Sequence, residues 1–160
     1  MHKTRIVLSE TIRQAIAPVL ATRLADAIDL SLQLKQAHWN VKGPQFIALH
    51  ELFDAIHTVL NAQVDALAER LAALGGTPEG TVQAVARRSV LAAYPLNITR
   101  GDQHLDAVAS ALASFGGLTR AAIDDCDAAG DKVTADLLTA ITAEIDKQLW
   151  FVEAHQHGSP

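Results

Sequence analysis

At 160 residues and 49% hydrophobic, the chain has the size of one domain and enough apolar side chain for a real core. A formal net charge of −5 argues against a broadly basic surface for phosphate backbones or anionic membranes, and a lone cysteine, Cys126, excludes an intrachain disulfide and a thiolate zinc cluster. The opening MHKTRIVLSE lacks the apolar stretch of a signal peptide, and no run approaches the roughly 18 apolar residues of a membrane helix, so a soluble, unprocessed protein of the cytoplasm is expected.

Residues 1–8 are expected to form a flexible tail. From there helical periodicity dominates. Ile12, Ile16, Leu20, Leu24, Ile28 and Leu32 recur every four residues and predict a long helix from about Ser9 to Asn40. Gly43-Pro44 breaks it, with Pro44 suited to the first turn of a second helix that runs to about Leu74. That helix carries its stripe on Leu49, Phe53, Ile56, Leu60, Leu67, Leu71 and Leu74, and Gly75-Gly76 ends it. Thr77-Pro78, Gly80 and Tyr94-Pro95 punctuate the segment 77–100, which reads as a long crossover holding a small helix over Val82–Arg87. Leu105, Val108, Leu112, Phe115 and Leu118 mark a third long helix ending near Gly130. Leu138, Ile141, Ile145, Leu149 and Val152 mark a fourth. Residues 156–160 are expected to be a second flexible tail. Strand patterns and internal repeats are absent from the sequence. The result is one all-α domain over 9–155, a four-helix bundle whose two hairpins are joined by one long connection, which is the ferritin-like topology.

The informative polar residues are His38 near the end of the first helix, and His50, Asp54, Asp65 and Glu69 on the second. His50/Asp54 and Asp65/Glu69 are i,i+4 pairs, so each pair projects from one helix face. Folding the first hairpin about Pro44 sets His38 opposite His50, because each is six residues from the turn. Asp65 cannot join that group in the same chain: fifteen residues at about 1.5 Å each separate it from His50 by roughly 22 Å. An antiparallel copy of the same helix, crossing between Val59 and Leu60, brings Glu69 opposite His50 and Asp65 opposite Asp54. A two-fold dimer therefore creates two identical mixed sites, with Ile56, Val59 and Leu60 expected near an apolar centre. The alternative, a di-iron site inside one bundle, requires two Glu-x-x-His motifs, and the sequence has only the approximation Asp54-Ala55-Ile56-His57. Imidazole and carboxylate together suit Fe(II), and also zinc or manganese.

The run Lys35-Gln36-Ala37-His38-Trp39-Asn40-Val41-x-Gly43-x-x-Phe46-x-x-x-His50-x-x-x-Asp54, followed by Asp65-x-x-Ala68-Glu69-Arg70, resembles the signature of the Dps family, the DNA-binding proteins from starved cells. Leu74-Gly75-Gly76, Tyr94-Pro95 and Asp146-Lys147-x-Leu149-Trp150-Phe151 extend the resemblance over most of the chain. It implies a dodecameric shell that oxidises Fe(II), preferably with hydrogen peroxide rather than oxygen, and stores ferric iron inside. It also implies that His38, His50 and Asp54 come from one subunit and Asp65 and Glu69 from its two-fold mate, with Glu69 bridging two irons. The family has an iron-uptake pore where helices three and four meet. Of Asp124, Asp125, Asp127, Asp131 and Asp136 there, Asp127, Asp131 and Asp136 are the candidates to line it, since a carboxylate ring concentrates cations.

Plainer roles compete for several residues. His38 with Asn40 could simply close a helix, and Asp65 and Glu69 could be a solvated face. His57 is read as a polar residue at the dimer seam rather than a ligand. Trp39, Trp150 and Tyr94 are read as packing, and Cys126 as filler without a role. His2, His104, His155 and His157 have no partner at a convincing spacing. The family's DNA binding is the poorest carry-over, because the first eight residues offer only Lys3 and Arg5 and the last five no Lys or Arg at all. Weak or absent DNA binding is expected, the alternative being a cage on the nucleoid that shields DNA physically with little ferroxidase activity.

Overall fold

The computed structural model describes residues 1–157 and is built of five helices: α1 (Glu10–Asn40), α2 (Phe46–Ala73), α3 (Val82–Arg88), α4 (Gly101–Ala129) and α5 (Lys132–Ala154). Helix α1 packs on α2 and α4, α4 on α5, and α2 on α5, which closes a four-helix ring. The short α3 lies in the connection between α2 and α4 and rests on α1. This is the expected all-α bundle with a helix in its crossover. Among the described residues, no helix is long and apolar enough to cross a membrane.

The second-helix stripe is buried throughout, from Leu49 to Leu74, as are Leu105, Val108, Leu112 and Phe115 on α4 and Leu138, Ile141, Ile145 and Val152 on α5. The stripe of α1 departs from expectation. Ile16, Leu20 and Leu24 are buried, but Leu32 is 54% exposed, and the burial passes instead to Ala27, Leu30, Leu34 and Ala37. A step of four residues overshoots one turn by about 40°, so five such steps carry a side chain from the core to the far side of the helix. Trp150, expected in the core, is 62% exposed.

Helix ends follow ordinary chemistry. The Ser9 hydroxyl accepts the amide of Ile12 at 3.2 Å and Thr81 accepts that of Ala84 at 3.4 Å. Helix α2 begins at Phe46 rather than Pro44, because Gly43 (φ 119°), Pro44 and Gln45 form a turn in which the Phe46 amide reaches the Gly43 carbonyl at 3.0 Å. Gly130 closes α4 at φ 92°. Gly75, past the end of α2 at φ 88°, is crowded as well as left-handed: a Cβ there would lie 2.3 Å from the His2 carbonyl oxygen.

That contact belongs to an N-terminal strap. The expected free tail 1–8 is tied at both ends: the His2 amide donates to Gly75 O at 2.7 Å, and Arg13 donates to Leu8 O at 3.3 Å and Leu74 O at 3.0 Å. Of the expected tail 156–160, Gln156 and His157 form a turn on Glu153, and 158–160 lie outside the described residues.

The crossover is held by polar residues of α1. Asp26 accepts the Val90 amide at 2.8 Å and lies 2.8 Å from Arg23, Asp29 accepts the Ser89 hydroxyl at 2.6 Å, and Gln33 donates to Ala92 O at 3.1 Å. Burial pushes the Asp26 carboxyl above its ordinary range, against the opposing pull of the Val90 amide and Arg23. Beyond the crossover, Lys42 donates to Thr99 O at 3.0 Å, which fixes the turn after α1 to the start of α4.

Candidate metal centre

The turn at Gly43 brings the last full turn of α1 against the first of α2, and two histidines lock the corner. His38 Nδ1 lies 2.7 Å from the carbonyl oxygen of His50, and His50 Nδ1 lies 2.8 Å from that of His38. A carbonyl only accepts, so each Nδ1 carries its proton and donates, and each Nε2 is left with a lone pair when the ring is neutral. The rings stack with centroids 3.7 Å apart and 20° between planes. The local reason is economical. Near the C-terminus of α1 the Lys42 amide goes to Thr99, so the His38 carbonyl lacks its intrahelical donor and the His50 ring supplies one. Backbone bonds of this kind are the usual outer support of metal-binding imidazoles.

Asp54, one turn beyond His50, opens on the same cleft, which measures about 510 Å³ and is lined by His38, Ile47, His50, Glu51, Asp54, Ala55 and Thr58. Lys35 clasps Asp54 at 2.6 Å and holds its carboxyl below the ordinary range by that hydrogen bond. The same ammonium sits 5.8 Å from the ring centroid of Trp39, which is 66% exposed rather than packed.

Among the described residues, no three potential ligands converge tightly enough within one chain to hold a metal ion. Asp65 and Glu69 stand exposed farther along α2, without a hydrogen bond or ion pair among the described residues. His57, half-buried, has both ring nitrogens engaged: Nδ1 with Ser31 (Oγ at 3.0 Å, O at 3.2 Å) and Nε2 with the Asn61 side-chain amide at 3.0 Å.

The ferritin-like domain family matches residues 19–157. A DNA protection during starvation protein of Agrobacterium fabrum is 47% identical over 154 residues, covering 96% of this chain and 95% of that protein, and one of Brevibacillus brevis is 35% identical over 150 residues, covering 92% and 98%. The chain belongs to the Dps family of ferritin-like proteins. A solved Mycobacterium smegmatis Dps, in a tetragonal crystal form, superposes on it with a TM-score of 0.91 at 34% identity, covering 97% of this chain and 93% of that one.

In this Dps chain the acidic corner between α4 and α5 divides in two. Asp124, Asp125, Asp127 and Asp136 are exposed, Asp127 paired with Lys132 at 3.0 Å. Asp131 is a correction to the expected pore set: it is 2% exposed and fully engaged. Its carboxylate caps α5 by accepting the Thr134 amide at 3.1 Å, accepts the Thr134 hydroxyl, and takes two bonds from Arg70 at 2.9 and 3.0 Å, while Arg70 Nε reaches Thr134 Oγ1 at 2.8 Å. Burial works to raise this carboxyl, but Thr134 and Arg70 outweigh it and the net displacement is downward. The order D-x-x-T at a helix start, with an arginine after Glu69, is the pattern that could have disclosed this role.

Two further residues carry more structure than their spacing suggested. His104, fully buried, holds the Tyr94 hydroxyl at 2.6 Å on Nδ1 and faces the backbone of Asn40 and Ile98. It thereby joins the crossover to the end of α1. Cys126 is buried and its thiol is pushed up to about 11 by burial, as suits an inert core residue.

Proposed function

We propose that the chain is a ferroxidase subunit of a closed shell, twelve copies by family resemblance, which oxidises Fe(II) preferentially with hydrogen peroxide and stores the ferric product in its cavity. The observation that carries this reading is the reciprocal His38–His50 lock, which leaves both Nε2 atoms without an intrachain bond among the described residues, on a cleft that Asp54 also lines. Imidazole and carboxylate suit Fe(II) as substrate, and rigid outer support holds both rings in one orientation. The cis set is incomplete. Asp65 and Glu69 lie about the same α2 midpoint as His50 and Asp54, so an antiparallel partner supplies them in trans and makes two sites per dimer.

In this mechanism Lys35 leaves Asp54 when the cation binds, and Trp39 offers its ring face to the displaced ammonium. Holding two Fe(II) ions at one place lets both electrons pass to a single peroxide. Two Fe(II), one H2O2 and two protons give two Fe(III) and two waters, so no hydroxyl radical leaves the site. Restraining that radical is how such a cage would protect the cell. The names of the relatives suggest a second reading, protection by DNA contact. The tethered strap carrying Lys3 and Arg5 and the net charge of −5 favour weak or absent DNA binding. A cytoplasmic setting, at the nucleoid if DNA is held at all, fits either.

The test is anaerobic oxidation of Fe(II) by added peroxide, with a radical trap, in the wild type and in an Asp65→Ala, Glu69→Ala variant of verified assembly. Two Fe(II) consumed per peroxide with little trapped radical, lost in the variant, is the expected result. Equal rates in both proteins would refute the shared site.

A further inference from the structure

Electrostatics in the cis half of the site are nearly cancelled. The Asp54 charge is met by the Lys35 ammonium at 2.6 Å, and the two histidines bring no negative charge. With Asp65 and Glu69 arriving from a partner, three carboxylates and one ammonium would face two divalent ions. That leaves a deficit of negative charge at the moment the cation must be drawn from water. Glu51 is the residue placed to correct it. It follows His50 directly, lies three residues before Asp54 on α2, lines the same cleft, is exposed, and has no hydrogen bond or ion pair among the described residues. Ile47, 60% exposed, and Phe46, whose ring centroid is 5.1 Å from that of His50, form an apolar lip beside it.

We propose that Glu51 is the capture carboxylate of this cleft, drawing Fe(II) to the His38–His50–Asp54 face and compensating the charge of Lys35 as that ammonium is displaced. This rests on the ferroxidase reading above. A carboxylate about one helical turn from a divalent ion, in water-like surroundings, changes its affinity by about three- to tenfold.

The experiment compares wild type, Glu51→Gln, a control Glu153→Gln at an exposed carboxylate of α5, and the Asp65→Ala, Glu69→Ala variant. Each is titrated anaerobically with Co(II) as a redox-inert probe and then assayed for Fe(II) KM and kcat. Glu51 makes no contact that the fold needs, so Glu51→Gln should melt as wild type does. Its expected signature is a Co(II) Kd and Fe(II) KM raised three- to tenfold with kcat within twofold of wild type, and Glu153→Gln unchanged. Co(II) affinity equal in wild type and Glu51→Gln would overturn the capture role, as would a loss confined to kcat. Co(II) binding that survives loss of Asp65 and Glu69 would instead reject the shared site, and the capture role with it.

Discussion

Asp131 offers the sharpest test of how the end of α2 is held. Replacing it with alanine removes an N-cap, which costs about 1 kcal/mol, and strands a mostly buried guanidinium, Arg70, which costs about 3–5 kcal/mol. A total of about 4–6 kcal/mol in a chain of this length corresponds to a fall in Tm of roughly 10–20 °C. Asparagine caps nearly as well as aspartate, so Asp131→Asn should lose only the charge pairing and fall in between. Thermal melts by circular dichroism at pH 7, with size-exclusion profiles below the transition, would measure both. The Asp131 carboxyl is displaced below its ordinary value of 3.8, so its contribution is present at pH values above about 4 and lost as pH falls through the lower folded value. The difference between wild type and Asp131→Asn should therefore be constant from pH 5 to 8 and shrink in stronger acid. An Asp131→Ala Tm within about 3 °C of wild type would refute the assignment of Asp131 as a buried structural anchor.

His104 responds in the same direction but at higher pH: burial holds its imidazole below the ordinary 6.5, so the unfolded chain takes up a proton first and stability declines as pH drops below about 6.5. A His104→Gln variant, less stable at neutral pH, should show a flatter Tm between pH 7.5 and 5.5, and an unchanged slope would contradict this account. Gly75→Ala combines left-handed strain of about 1–2 kcal/mol with a Cβ at the place of the His2 carbonyl, so the strap must lift. Limited proteolysis within residues 1–8 should speed up several-fold, and an unchanged cleavage rate would show that the strap is not seated on Gly75.

The bundle was legible because burial on α2, α4 and α5 follows the helical period with few exceptions. Burial departs from expectation on α1, where a strict four-residue step is not the helical period. Counting strictly by four along α1 walked the assignment from Leu24 to the exposed Leu32, when the real period of about 3.6 leads through Ala27, Leu30 and Leu34. Alanine also carries too little hydrophobic signal to mark Ala27 and Ala37 as core. The crossover clamps Asp26, Asp29 and Gln33 were silent for another reason: a buried polar residue is recognised by its partner, and Val90, Ser89 and Ala92 lie some sixty residues away in sequence. His104 and Asp131 fall in the same class. Each looked like an unpartnered or exposed group until the chain folded Tyr94 or Arg70 onto it.

Of the candidate site, the spacing made legible the meeting of His38, His50 and Asp54 on one cleft, while Asp65 and Glu69 stand apart from it in the single chain. Ile56, Val59 and Leu60 are expected near an apolar centre of the pairing, yet Ile56 and Leu60 are fully buried in their own bundle, Val59 is half-buried, and α2 turns Ala55, Thr58, Asn61 and Ala62 outward around the midpoint of the proposed pairing. Small side chains at that place change the physical account of the dimer. The two α2 helices would approach closely by backbone proximity rather than by trading large apolar groups, and close approach is what shortens the gap from Asp65 and Glu69 to the paired imidazoles. The Ser31–His57–Asn61 network then acquires a reason. By bonding both ring nitrogens of His57 within the chain, it would keep a third imidazole on α2 from competing for cations near the centre of such a seam. An Ala62→Leu substitution separates these effects: it should push the pair apart and lower Co(II) affinity while leaving the intrachain His38–His50 lock untouched.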